Sequence, residues 1–334
     1  MQTEHADLVQ FVREVAVGTC VVALLCTTLF IVSRNGDAYG SANVIKMHRL
    51  ESAADPRIIF VGGSGLAFGL DSEIIEKETR LNPVNMGVYA GFGIDYLAAQ
   101  VSSRMHTGDT VVLIPEYDIL TKDPSANGFL VLEAAQALPS TVRFSLSNTD
   151  SIAEIVRAFP AWLSTRAVSL LGRIAEPLIG RSDTLYHRVY RASAFNAYGD
   201  NTAVQNESFR LPASDISTST ASILLTPLST TTLDHIALFI DAAEARGVLV
   251  YISWPALPRS LERIAHENIE RSDARLRERF GTRILGTQND FIFDDSDFFD
   301  TVNHLTTNAR TIRSQRLANL IREAKGSFLR DERQ

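Results

Sequence analysis

The sequence predicts an α/β fold: a mainly parallel sheet sandwiched between helices as a three-layer domain, with an N-terminal transmembrane helix and a largely helical insertion. Three observations carry this. Short apolar runs at Arg57–Val61, Val84–Val88 and Thr110–Ile114 alternate with helical patterns at strand–helix spacing. The same rhythm returns after residue 230. Ahead of it all, Val15–Val32 is a run of 18 residues without a charge.

A chain of 334 residues with 45% hydrophobic content can bury a sizeable core. A net charge of -7 and the lack of a long basic run leave no electrostatic footprint for nucleic acid, so small or neutral ligands fit better. Cys20 and Cys26 both lie in the apolar run, and no thiol follows. Beyond residue 26 this excludes disulfides, cysteine nucleophiles and Cys-ligated zinc.

Residues 1–14 read as a tail, 15–32 as a transmembrane anchor flanked by Arg13 and Arg34, and 33–54 as a linker. A buried core helix and a cleaved signal peptide are the alternatives. Ala38-Tyr39-Gly40 is a loose small-x-small site, but polar residues separate it from the apolar run, and an uncleaved anchor is the reading taken. Arg13 before the span against Arg34, Lys46 and Arg49 after it points the domain to the cytoplasm by the positive-inside rule. Large domains can translocate despite such charges.

The first part of the domain, 55–118, opens with an apolar strand running into Gly62-Gly63-Ser64-Gly65. Asp71 caps a helix over 72–80, Asn82-Pro83 breaks it, and Val84–Val88 is the second strand. A helix over Ile94–Met105 and the strand Thr110–Ile114, ending in Pro115-Glu116-Tyr117, follow. Residues 119–229 read as an insertion or cap with helices at Ile152–Phe159 and Trp162–Ile174 and a polar later half. The second part, 230–334, holds a helix over Leu233–Ala245, a strand Val248–Ile252, a helix over 259–279 and a short strand Arg283–Leu285. A last helix over Thr307–Ala324 is expected to dock through Ile312, Leu317, Leu320 and Ile321.

Ligands of parallel sheets bind where loops converge beyond the strands' carboxyl ends, here segments 62–65, 87–93, 115–118 and 297–304. Ser64 stands among glycines directly after a strand, where a substrate can approach closely. Leu66 excludes a nucleophile elbow, and no Gly-Lys-Ser/Thr follows to make a P-loop. Gly63, Gly65 and Gly69 have the wrong spacing for a dinucleotide fingerprint, and no carboxylate ends the second strand. Of the seven histidines, His304 follows an acid-rich loop and precedes the last helix. Asp300, four residues earlier, can hold the imidazole tautomer that accepts a serine proton.

In this order, Phe60-Val61-Gly62-Gly63-Ser64, Asn85-Met86-Gly87-Val88-Tyr89-Ala90-Gly91 and Asp300-Thr301-Val302-Asn303-His304-Leu305 resemble the first, glycine and terminal blocks of the SGNH (GDSL-like) hydrolases. The resemblance implies a flavodoxin-like sheet, Ser64 as nucleophile, His304 as base, Asp300 as its orienting acid, and the Ser64 and Gly91 amides as oxyanion donors. Two positions depart from it. The third block's asparagine is missing, with Glu116 in that region unable to donate, and the acid lies four rather than three residues before the histidine, with Thr301 at the usual place. Membrane-anchored relatives similar to this layout imply an extracytoplasmic or periplasmic domain at the inner membrane. They also imply an acylated cell-surface glycan as substrate and a multi-pass membrane O-acyltransferase as companion.

Substrate contacts are expected from Glu116 and Tyr117 and, in the insertion, from Asn196, Tyr198 and Asp200, with Tyr198 stacking on a sugar ring. Neither a metal nor a cofactor is called for. Two functions follow. One is a serine-dependent acyl esterase or O-acyltransferase working through an acyl-enzyme at Ser64. The alternative is a catalytically degenerate module of the same fold that binds a glycan or an assembly partner.

Overall fold

A computed structural model describes residues 2–144, 149–179, 184–206, 208–209 and 218–331. The parts of the expected insertion at 145–148, 180–183, 207 and 210–217 lie outside the described residues. Helix α1 (Gln2–Val32) begins inside the expected tail and passes unbroken through Arg13 and Glu14. Its segment Val9–Val32 is long and apolar enough to cross a membrane, and its most apolar stretch is not buried against the protein. The expected linker is instead domain structure. After a tight turn at Tyr39–Ser41, α2 (Ala42–Ser52) buries Ala42, Lys46, Met47 and Leu50, a single helical face.

Strand β1 (Arg57–Gly62) feeds α3 (Ser64–Gly69) and α4 (Ser72–Thr79), followed by β2 (Asn82–Asn85), α5 (Gly93–Ser102) and β3 (Thr110–Ile114). The insertion contributes α6 (Tyr117–Leu120), α7 (Gly128–Ala137), α8 (Thr149–Ile179), α9 (Leu185–Val189) and α10 (Thr218–Leu225). Then come α11 (Thr230–Glu244), β4 (Leu249–Ile252), β5 (Leu257–Pro258), α12 (Arg259–Phe280), β6 (Ile292–Phe293) and α13 (Thr307–Asp331).

The sheet runs β2-β1-β3-β4 with every pairing parallel. The expected strand at 283–285 is reduced to one parallel bridge between Ile252 and Ile284. Ile58, Ile59, Phe60, Val111, Val112 and Leu113 are buried without alternation, as strands covered on both faces require. Each such side chain contributes roughly 1.5–3 kcal/mol through burial. The order reverses direction after β2, so right-handed crossovers place α4 and α5 on opposite faces. Helix α5 packs with α11, and α4 with α13.

Three elements differ from the sequence reading. Strand β2 begins and ends earlier than 84–88, because Asn85 Oδ1 accepts from the Gly87 amide at 2.9 Å and turns the chain out of the sheet. The two expected insertion helices are one, α8, continuous through Pro160. Packing on α7 holds it: Glu154 O lies 2.2 Å from where a Gly128 Cβ would stand, an approach only glycine allows. On α13, Ile312 faces outward while Arg310 and Arg313 join Leu317 and Ile321 on the buried face. The guanidiniums are drawn inward by carbonyls: Arg310 donates to Asn201 O at 2.9 Å, and Arg313 to two carbonyls of α3.

Lys46, on α2, is fully buried and donates to Asn85 O at 3.0 Å and to Gly199 O, with its ammonium 4.7 Å above the Phe195 ring. Burial pushes its pKa down to about 7, partly opposed by Asp200. Between about 7 and the ordinary 10.5 the unfolded chain holds a proton that the folded chain lacks, so Lys46 makes stability rise with pH across that window. Thermal midpoints followed over that pH range are expected to climb less steeply in Lys46→Met than in the wild type.

Candidate active site

The site is assembled where β1 and β3 end side by side. Glu116, two residues beyond β3, sends its buried carboxylate into the turn after β1, where it accepts from Gly63 N at 2.9 Å and Gly65 N at 2.7 Å. A Cβ on Gly63 would lie 2.6 Å from both carboxylate oxygens, so glycine is required there for space. The backbone at Gly63, with φ -91°, is open to any residue. From the far side Arg313 Nη1 donates to Gly65 O at 2.9 Å and Gly69 O at 3.2 Å. Burial pushes the Glu116 carboxyl up, while backbone N–H donors and Arg313 oppose the shift. Burial likewise lowers the Arg313 pKa to about 10, which leaves the guanidinium charged at neutral pH.

A second segment closes over this turn. Residues 297–306 are stitched together by Thr306 N donating to Asp297 O at 2.8 Å and Phe299 N donating to His304 O at 2.7 Å. They present His304, buried, with Nδ1 2.8 Å from Asp300 Oδ1. The Tyr190 hydroxyl donates to Asp300 Oδ2 at 2.5 Å and lies 3.1 Å from His304 Nδ1. A carboxylate only accepts, so this arrangement favours the proton on Nδ1 and leaves the Nε2 lone pair available as a base. Phe68 stacks on the imidazole, centroids 3.9 Å apart and 9° from parallel.

Phe68 is one helical turn beyond Ser64 on α3, and Asn303 O lies 3.2 Å from where a Gly65 Cβ would be. The structure therefore brings Ser64, Asp300 and His304 to one end of the sheet. Ser64 is half-buried, and no hydrogen bond joins it to His304. Beside them opens a cleft of about 320 Å³ whose walls include Tyr117, Asp118, Leu257, Asp300, Val302 and Asn303. Ser64 and His304 are not among its lining residues. Tyr117 forms part of its wall and donates through its hydroxyl to Gln288 Oε1 at 3.1 Å.

Other expected site residues are engaged within the protein. Gly91 backs onto Leu130 of α7, and Ala90 N is the group that approaches Gly63. Glu116 faces inward and has each carboxylate oxygen taken by an amide, so it offers nothing to a sugar hydroxyl. Asp200 is fully buried, its oxygens taken by Ser72 N, Ser72 Oγ and Asn85 Nδ2. Asn196 Oδ1 caps the amides of Tyr198 and Asp200, and Tyr198 lies under the Arg49 guanidinium at 4.8 Å while its hydroxyl bonds Glu76. This loop holds α2, α4 and β2 together rather than lining the cleft, because its polar groups are satisfied within the protein.

Tyr190, Phe68 and Arg313 were not singled out by the sequence. Arg313 had a legible signal, since helical spacing puts it on the face of Leu317 and Ile321, where an unpaired charge must find carbonyls or carboxylates. Tyr190 had none, lying 110 residues from Asp300 in a weakly patterned stretch. Among the described residues no group of three His, Cys, Asp or Glu side chains is gathered as a metal site.

Replacing Glu116 by Gln turns an NH₂ toward one of the two donor amides, and replacing it by Asn shortens the reach to both. Expected losses are about 1–3 kcal/mol for Glu116→Gln and more for Glu116→Asn, read from denaturant midpoints at neutral pH. Unchanged midpoints in both variants would remove Glu116 from this structural role.

The chain matches no protein-family model and no curated protein.

Proposed function

We propose that this is a membrane-anchored, SGNH-like acyl esterase or O-acyltransferase that acts on a cell-surface polysaccharide through an acyl-enzyme at Ser64. The observation that carries the reading is the Asp300–His304–Tyr190 cluster, with His304 buried and its two partners half-buried, packed one turn from Ser64 on α3. The sheet order supports a flavodoxin-like layout, since the bridge at Ile284 extends β2-β1-β3-β4 by a fifth position beside β4. Its switch point lies between β1 and β3, where Ser64 and Glu116 stand.

In the proposed reaction His304 Nε2 takes the Ser64 proton as Oγ attacks the acyl carbonyl. Asp300 accepts the Nδ1–H and stabilises the imidazolium, and Tyr190 holds Asp300 in place. The sugar oxygen departs with the proton from His304, leaving the acyl ester on Ser64. Water then yields hydrolysis, and a second sugar hydroxyl yields transfer.

A second reading is favoured by one observation: the amides on either side of Ser64 are filled by Glu116, which leaves fewer donors for an oxyanion. On that reading the chain is a non-catalytic module that binds a glycan or an assembly partner, such as a multi-pass membrane O-acyltransferase, in the cleft beside residues 300–303.

Intact-mass measurement after incubation with a fluorophosphonate decides between them. The expected result is one adduct on Ser64, absent in Ser64→Ala, with Asp300→Asn lowering ester turnover by about 10²–10⁴-fold. No adduct in the wild type, together with glycan binding, would establish the module instead.

The proposed placement has α1 spanning the inner membrane and the domain outside the cytoplasm. A periplasm-active reporter fused after Gln334 is expected to be active, and a cytoplasm-active one silent. The reverse pattern would overturn the placement.

A further inference from the structure

We propose that α8 is a second membrane-contacting element, lying in the interfacial layer of the bilayer that α1 crosses, with its uncharged outer face against lipid. The inference rests on the proposed anchoring by α1. Along the span of α1 only Cys26, Leu29 and Phe30 are half-covered, and Ser33 just past it is buried. Their spacing of i, i+3, i+4 and i+7 marks one stripe on the last two turns, and α8 packs on this end of the helix.

The contacts fix the height of α8. Trp162 packs on Phe30, ring centroids 5.5 Å apart. Arg173 donates to Arg34 O at 2.8 Å and Val32 O at 3.3 Å, capping the terminal carbonyls of α1. Because these partners are the final residues of the apolar span and the arginine just past it, α8 must sit where α1 leaves the hydrocarbon.

The outward face of α8 suits that depth. Between Ala158 and Gly172 its one charged residue is Arg166, whose side chain is 13% exposed and paired with Glu133 of α7. Val168 and Leu171 in that stretch and Ile174 just past it are 69%, 66% and 65% exposed, and the other exposed positions of the stretch are uncharged. Charges return at both ends, with Asp150, Glu154 and Arg157 before and Arg173 and Glu176 after. A row of exposed large apolar side chains along one helix marks a contact surface. Here it belongs to a helix packed on the end of the apolar span of α1, which makes the bilayer its occupant.

Nitroxide labels test this in the full chain, with Cys20 and Cys26 replaced by Ala and the protein reconstituted in phosphatidylethanolamine/phosphatidylglycerol nanodiscs. Labels go on Val168→Cys, Leu171→Cys and Ile174→Cys, with Val17→Cys reporting α1 and Ile264→Cys, exposed on α12, reporting water. The α8 labels are expected to collide preferentially with oxygen, like Val17, and Ile264 with the aqueous nickel reagent. If the α8 labels follow Ile264 while Val17 stays in lipid, the inference fails and the anchor stands. A water-accessible Val17 label overturns the anchor and the inference with it. Low accessibility of the α8 labels to both reagents would mean a protein, such as a second copy of this chain, covers the face, and would overturn lipid contact.

Discussion

The Glu116 carboxylate in the turn after β1 is the interaction on which the rest of the site depends. Two adjacent parallel strands must end together, and their loops leave backbone donors buried with no strand to pair them. Glu116 accepts from two of these donors at once, and Arg313 binds the carbonyls on the other side of the same turn. A lone buried carboxylate is expensive, and so is a lone buried guanidinium. Placed on either side of one glycine-rich turn, each offsets the desolvation of the other and both fix the start of α3. The position of Ser64 is therefore set by charges contributed from the loop after β3 and from α13, 197 residues apart along the chain.

Much of the sheet was legible because its strands are continuous apolar runs closed by glycine or proline, and such runs have few other uses in a globular chain. The pairing of Asp300 with His304 was also legible, because a spacing of four residues needs only one turn of backbone to bring the groups together. What escaped were features created by tertiary contact. The helix through Pro160 depends on its close approach to Gly128 of α7. The segment 33–54 reads as a linker, yet 42–52 folds as α2 with one face buried, where its lysine finds two carbonyls. The Phe195–Asp200 loop looked like a sugar site by composition, but Asp200 is consumed by Ser72 and Asn85, partners that local sequence does not reveal.

The catalytic and binding readings differ in what they ask of the same turn. Catalysis needs donors aimed at a charge that appears only in the transition state. Binding needs only a stable cleft with satisfied walls. Filling the Gly63 and Gly65 amides with a carboxylate serves rigidity first, while the catalytic reading turns on the Asp300–His304–Tyr190 cluster beside it. The Phe68 ring shields that imidazole from water on one face, which strengthens its bond to Asp300 relative to an exposed pair.

Tyr39 ties the geometry of the site to that of the long apolar helix α1. It lies six residues beyond Ser33, packs against Tyr190 with ring centroids 5.5 Å apart, and donates to Val88 O at 3.2 Å. Six extended residues span on the order of 20 Å at most. With α1 in a bilayer, the imidazole works on a tether of that length, and its working altitude is set by the chain rather than by diffusion. If the proposed glycan activity holds, polymer that has moved farther from the lipid surface is out of reach, and the portion served is the one still close to its point of emergence.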